Sequence, residues 1–422
     1  MKIKNLDKNY FIVLLSLGFS AIFIFASNIL LARHLGPYEY GIFSGCLTIA
    51  MFLSTYIRGV DEFIKNVFGL EKLNPYRWAY SLTLLICLVT AINIIFLIFW
   101  ALLGPHEVMT KNILIIFIFF MVGNVFFEFI KLILQIQNSF ITLSIFQIYP
   151  NLLKFLSIIL ILFFINHLNI FDIAIIYSII NLSVILISFK ILYNFLTRDK
   201  IFNLKKKFLK QPKLYELLKK SKNFIKSTFC FILYAAVDIF LLKYLAGGLI
   251  LGYFTAANII VLGSYLFIDA YMKIYSIKYY NYSKFNVSKF KKVYKFGQIL
   301  LLFISILITF FIIFFSKFII NIIYGNEYLN SVNILIILSL SIPFRFLFTN
   351  YLMAIRTYKY AYFEAKIFRN ILLIKIPLSV YLINYMGAFG AALSVLICEF
   401  IILLFSHYFT NNVVFKSKHF KN

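Results

Sequence analysis

An all-α polytopic membrane protein is the fold class this sequence predicts, with about twelve spanning helices in two parallel-repeat six-helix lobes around a central cavity. Three observations carry it. The 422 residues are 63% hydrophobic and only 13% charged, whereas soluble domains average about 25% charged residues, so no water-soluble fold could hide this much apolar surface. Apolar runs of spanning length recur from Phe11 to Phe409, divided by short polar breaks. Two of those breaks, far apart in the chain, repeat one another in sequence.

In chain order the runs occupy 9–33, 39–69, 77–103, 110–136, 141–166, 170–197, 223–246, 250–277, 296–320, 329–356, 359–385 and 387–410. The first is longer than the apolar core of about 7 to 15 residues in a cleavable signal peptide, and no small-residue cleavage site follows it, so it is expected to remain as a span. Gly36-Pro37, Pro75, Gly104-Pro105, Pro212, Gly247-Gly248, Gly325 and Gly387 mark breaks, as expected where a helix must end. The longest polar stretch, 198–227, carries dispersed apolar residues among lysines. It divides the chain into an N-lobe (1–197), a basic cytoplasmic linker (198–222) and a C-lobe (223–422).

A net charge of +26 would suggest nucleic acid in a soluble protein, but the positions of the charges exclude that reading. With the N-terminus inside, Lys2, Lys4, Lys8, Lys72, Arg77, the linker, the 278–295 cluster, Arg356, Lys359 and the 416–421 tail share one side. The other side receives Arg33, Lys111, Lys243 and Lys317. Basic residues collect in cytoplasmic loops, so both termini are expected in the cytoplasm. The four cysteines, Cys46, Cys87, Cys230 and Cys398, lie apart inside apolar segments, which predicts neither a disulfide framework nor a metal site. A phosphate-cradling glycine loop, a zinc-protease motif and clustered histidines are all missing. No cofactor is expected, and no catalytic residue.

The repeat is read directly. "LLARHLGPYEYGIFSG" (30–45) aligns without a gap on "LLKYLAGGLILGYFTA" (241–256), matching Leu30, Leu31, Gly36, Gly41 and Phe43 to Leu241, Leu242, Gly247, Gly252 and Phe254. A weaker match joins "GPHEVMTKNILII" (104–116) to "GNEYLNSVNILII" (325–337). Both pairs join outer loop to outer loop, which relates the halves as parallel repeats and suits a transporter with a site between lobes.

Charges inside the membrane are the candidate functional residues, since each costs about 2.5 to 3.5 kcal/mol at the bilayer centre unless it faces a cavity or a partner. Arg58, Lys154, Asp238, Arg345, Lys375 and Glu399 fall near mid-depth, with Asp61, Glu62, Lys65, Glu128, Asp269 and Lys273 nearer the cytoplasm. Arg58, Glu62 and Lys65 share one helical face. The repeat register sets Arg58 against Asp269 and Glu62 against Lys273, an expected exchange of ion pairs between lobes. Pro343 should break the tenth span beside Arg345, and Pro150 precedes Lys154 in the same way. Arg58, Lys65, Lys154, Lys273 and Arg345 are the candidate anion-binding residues; Glu62, Asp238 and Asp269 are the candidate ion-coupling carboxylates.

In order along nearly the whole chain, "LARHLGPYEYGIFS", "VDIFLLKYLAGGLILGYFTAAN", "IYGNEYLNSVNILIIL" and "MGAFGAAL" resemble the Wzx-type flippases of polysaccharide repeat units, in the multidrug/oligosaccharidyl-lipid/polysaccharide (MOP) exporter superfamily. The resemblance implies alternating-access transfer of an undecaprenyl-diphosphate-linked oligosaccharide between leaflets of the bacterial cytoplasmic membrane. It also implies driving by membrane potential or cation antiport, with membrane lipids and the pathway's polymerase and glycosyltransferases as partners, and no nucleic acid. A multidrug or small-molecule cation antiporter of the same plan is the alternative. An integral-membrane polymerase or glycosyltransferase fits less well, because every outer loop is short.

Overall fold

The computed structural model describes residues 3–55, 58–61, 63–64, 79–137, 139–165, 169–198, 214–285, 287–358 and 361–415. Among the described residues there are helices and no strand. They are α1 (Ile3–Thr55), α2 (Ala79–Leu103), α3 (Val108–Ile136), α4 (Phe140–Ile165), α5 (Ile170–Arg198), α6 (Leu214–Leu245) and α7 (Gly247–Ser264). Then follow α8 (Leu266–Phe285), α9 (Val287–Phe314), α10 (Ser316–Tyr324), α11 (Ser331–Leu340), α12 (Ile342–Thr357) and α13 (Ala361–Phe409).

Among the described residues, ten helical segments are long and apolar enough to cross a membrane, and two of these are double-length: Leu15–Asp61, of 47 residues, and Tyr362–Asn412, of 51. At about 1.5 Å per residue a rod of that length reaches about 70 Å, more than twice an apolar bilayer core of about 30 Å. Each is broken once, at Gly36 (φ 68°) and Gly387 (φ 57°), positions whose left-handed backbone favours glycine. Counting each double rod as two spans gives the dozen that the hydropathy pattern predicts. The protein is a multi-pass membrane protein.

Some breaks differ from expectation. The eighth span, read as one run from 250 to 277, is interrupted at Tyr265 between α7 and α8. The tenth breaks at Ser341, two residues before Pro343. Pro343 sits in the first turn of α12, where a missing N–H costs no helical hydrogen bond. Pro150 does not break α4, which runs through it. Residues 214–222, in the basic stretch, are helical and form the start of α6.

The chain divides into two compact units, one of residues 1–35 with 46–232 and one of residues 36–45 with 233–422. In the first, α3 and α5 approach closely at Gly123, where a Cβ would meet the backbone of Asn181. Their core is aliphatic and aromatic, with Ile130, Val184 and Leu217 fully buried.

In the second unit, residues 36–45 cross the start of α7 through glycines. A Cβ on Gly41 would strike the carbonyl oxygen of Gly248, and one on Gly252 would strike that of Pro37. These contacts exchange under the repeat register, which sets Pro37 on Gly248 and Gly41 on Gly252. Ser44 and Thr255, equivalent in the repeat, hydrogen-bond each other at 3.2 Å. Gly41 with Gly45, and Gly248 with Gly252, are spaced four apart, the small-residue pattern by which membrane helices bring backbones together.

Candidate functional site

In the first unit the Arg58 Nη2 donates to Glu128 Oε1 at 2.6 Å, and Lys131 Nζ reaches the same oxygen at 2.8 Å. Glu128 and Lys131 stand three apart on α3, which places them on one face. One carboxylate thus serves two cations.

Lys154, on α4, is different. Its ammonium lies 4.8 Å from the ring centres of both Phe120 on α3 and Tyr177 on α5. Among the described residues no carboxylate pairs with it. Three helices therefore hold one lysine between π faces, which favour a cation without neutralising it.

The second unit buries a polar cluster. Asp238 on α6 and Lys375 on α13 pair at 2.7 Å, with exposures of 3% and 2%. Ser379 and Ser394 both donate to Asp238 Oδ1, at 3.0 and 3.1 Å. Lys375 Nζ also donates to the Tyr234 carbonyl at 2.8 Å and lies over the Tyr234 ring at 3.9 Å. This pair is saturated, which is what a buried ion pair needs to be tolerated. Nearby, Arg345 Nη1 donates to Glu399 Oε1 at 2.8 Å, and its guanidinium lies 5.1 and 5.2 Å from the ring centres of Tyr265 and Phe348.

The structure thus brings Asp238 and Arg345 into one unit, with Lys375 and Glu399 as their partners, and places Arg58 and Lys154 in the other. Asp269 is an exposed residue in the first turn of α8. Lys273 lies on the same helix, and its side chain is outside the described residues, as are Glu62 and Lys65. No group of three or more metal-ligating side chains occurs among the described residues.

A family model described as "Polysaccharide biosynthesis protein" matches residues 6–273. The chain belongs to the polysaccharide biosynthesis protein family. Its fold is that of the MOP exporters. A lipid II flippase, MurJ, in an inward closed conformation aligns with a TM-score of 0.69 at 17% identity, over 94% of this chain and 87% of that one. A mutant form of the Vibrio cholerae MATE transporter VcmN aligns at 0.70 and 11% identity, over 99% of each chain. A MOP superfamily transporter from Pyrococcus furiosus aligns at 0.65 and 14% identity, over 95% and 93%. No curated protein sequence matches significantly.

For this polysaccharide biosynthesis protein, counting residues from span ends located the charged groups but not their partners. Glu128 was legible as a membrane carboxylate nearer the cytoplasm, but not as the shared partner of Arg58 and Lys131. Ser379, Ser394, Tyr234 and Tyr265 carried no signal, because serines and tyrosines are scattered through most spans.

Proposed function

We propose that this protein transfers an undecaprenyl-diphosphate-linked oligosaccharide from the inner to the outer leaflet of the bacterial cytoplasmic membrane, for surface polysaccharide synthesis. Both termini lie in the cytoplasm. The substrate, membrane lipids and the enzymes of the same pathway are its partners, and the protein performs no covalent chemistry.

The observation that carries this reading is Lys154. A cation in a membrane span with no carboxylate beside it is costly unless an anion comes to it. A lipid diphosphate supplies that anion, and lysine meets it as a point charge. Moving about two negative charges outward down a potential of about 100 mV, inside negative, releases about 4 to 5 kcal/mol at about 2.3 per charge, which assists the step. Arg58, Lys65, Lys273 and Arg345 extend the cationic set, while Glu62 and Asp269 are the carboxylates left for ion coupling, since Lys375 and two serines already hold Asp238. An antiporter of cationic drugs shares the fold and is the second reading; against it, the membrane carboxylates Glu128, Asp238 and Glu399 each hold a cation already.

The test is deletion of the gene in its native host. Lipid-linked repeat units should accumulate on the inner leaflet and surface polymer should disappear. Unchanged surface polymer, in a strain with no second flippase, overturns the reading.

A further inference from the structure

Lys154 shares its face of α4 with two amides. Gln147, Asn151 and Lys154 follow one another at spacings of four and three, which stacks them on one side of the helix. The exposed apolar side chains of Ile145, Leu156 and Phe163 stand on the opposite side, so the polar stripe faces away from lipid. Its neighbours all belong to the first unit. On one flank lies α1, where Ser20 Oγ donates to the Gln147 carbonyl at 3.0 Å and the Phe23 ring meets that of Phe155 at 5.5 Å. On the other, α3 and α5 supply the Phe120 and Tyr177 rings that hold the Lys154 ammonium.

The two amides have bonding capacity to spare. Both side chains are half-buried, so a ligand can reach them. Among the described residues the Gln147 side-chain amide makes no hydrogen bond, and Asn151 makes one long one, from Nδ2 to the Gln147 carbonyl at 3.5 Å. Other amides in the spans of this unit are committed, since Asn93, Asn124 and Asn181 each donate at 2.8 Å. A side-chain amide carries two donors and an acceptor oxygen, and polar groups within a membrane are costly unless something bonds them.

We propose that Gln147 and Asn151 recognise sugar: with a phosphate at Lys154, the sugars nearest it lie along α4 towards its N-terminal end, their hydroxyls bonded to the two amides. The order of chemistry along the helix is that of a lipid-linked glycan, charge for the phosphate and then neutral amides for neutral rings. Asn151 lies about 4.5 Å and Gln147 about 10.5 Å from Lys154 along the helix axis, about one and two sugar rings away. An amide can donate to one hydroxyl and accept from its neighbour, whereas a second lysine would bind phosphate again. The phosphate at Lys154 rests on the flippase reading; the unmet bonding of the amides does not.

The experiment uses the full-length protein in lipid nanodiscs with two probes: undecaprenyl diphosphate without sugar, and the carrier-linked glycan extracted from a polymerase-deficient strain of the native host. The wild type should bind the glycan probe at least about tenfold more tightly than the bare carrier, because only sugar fills the amides' hydrogen bonds. Gln147→Met and Asn151→Leu should each lose most of that preference. Their affinity for the bare carrier and their melting temperatures should stay as in the wild type, since the amides bond little within the protein. Gln147→Ala and Asn151→Ala, which only remove atoms, repeat the test without any risk of overpacking. Lys154→Gln should weaken both probes.

Equal wild-type affinity for the two probes, the result if water alone serves the amides, overturns the proposal, as does a preference retained after either substitution. Failure of both probes to bind removes the phosphate anchor and overturns it together with the flippase reading. If the deletion strain accumulates lipid-linked units while the preference survives the substitutions, the amides alone are wrong. If the substitutions abolish the preference and nothing accumulates, sugar recognition stands and the transfer reading falls.

Discussion

Lys154 and Lys375 are the same residue type inside the same membrane, and their environments assign them opposite parts. Lys375 has a carboxylate, a backbone carbonyl and a ring around its ammonium; Lys154 has two rings. Replacing Lys154 by Gln should lower export of lipid-linked units by about tenfold or more, since a charge-assisted hydrogen bond contributes about 1.5 to 3 kcal/mol, with the amount of protein in the membrane unchanged. A flipping assay in proteoliposomes reads this directly. The Lys375–Asp238 pair answers to a stability measurement. Lys375→Met or Asp238→Asn alone should destabilise by about 3 to 5 kcal/mol, because each strands a buried charge, while the double substitution should recover much of the loss. Thermal unfolding in detergent distinguishes the single variants from the double. At this scale the sequence disclosed which charges lie within the membrane, because a charge in an apolar run is conspicuous. Which charge meets which depends on helix rotation and packing, and a residue count along one span carries no record of either.

The glycine crossing is where helices, not single side chains, carry the argument. Gly41 and Gly252 lie where any side chain would enter a carbonyl oxygen of the crossing segment, whereas Gly18 and Gly263 face open space. Gly41→Leu or Gly252→Leu should therefore destabilise by at least about 1 to 3 kcal/mol from overpacking. Gly18→Ala and Gly263→Ala should be neutral or stabilising by up to about 1 kcal/mol. Melting curves for the four variants, run side by side, check the contrast, and equal losses would contradict it. Helix breaks at Gly36 and Gly387 were legible because glycine is the residue that left-handed backbone favours. The break at Tyr265 was not, since the sequence around it offers neither proline nor a left-handed glycine and only packing places it.

For the molecule as a whole, hydropathy and the internal repeat together disclosed a two-part, roughly twelve-span membrane protein, and the MOP-type fold agrees with that reading. Orientation belongs to this scale too. The excess of Lys and Arg on one side predicts that reporter fusions at both termini are active in the cytoplasm; a periplasmic signal from either would contradict it. The division of the chain was less legible, because ten residues of the first half belong to the second unit, and hydropathy cannot register an exchanged segment.

That exchange dictates an order of assembly. Ser44 meets Thr255 across 211 residues of chain, and at about 5 to 20 residues per second a ribosome takes about 10 to 40 s to make that interval. Throughout the wait the nascent protein carries a bare ridge of glycine with nothing yet synthesised to seat it. An N-terminal half expressed alone would keep that ridge permanently, and only co-expression of the complementary half would give it a home.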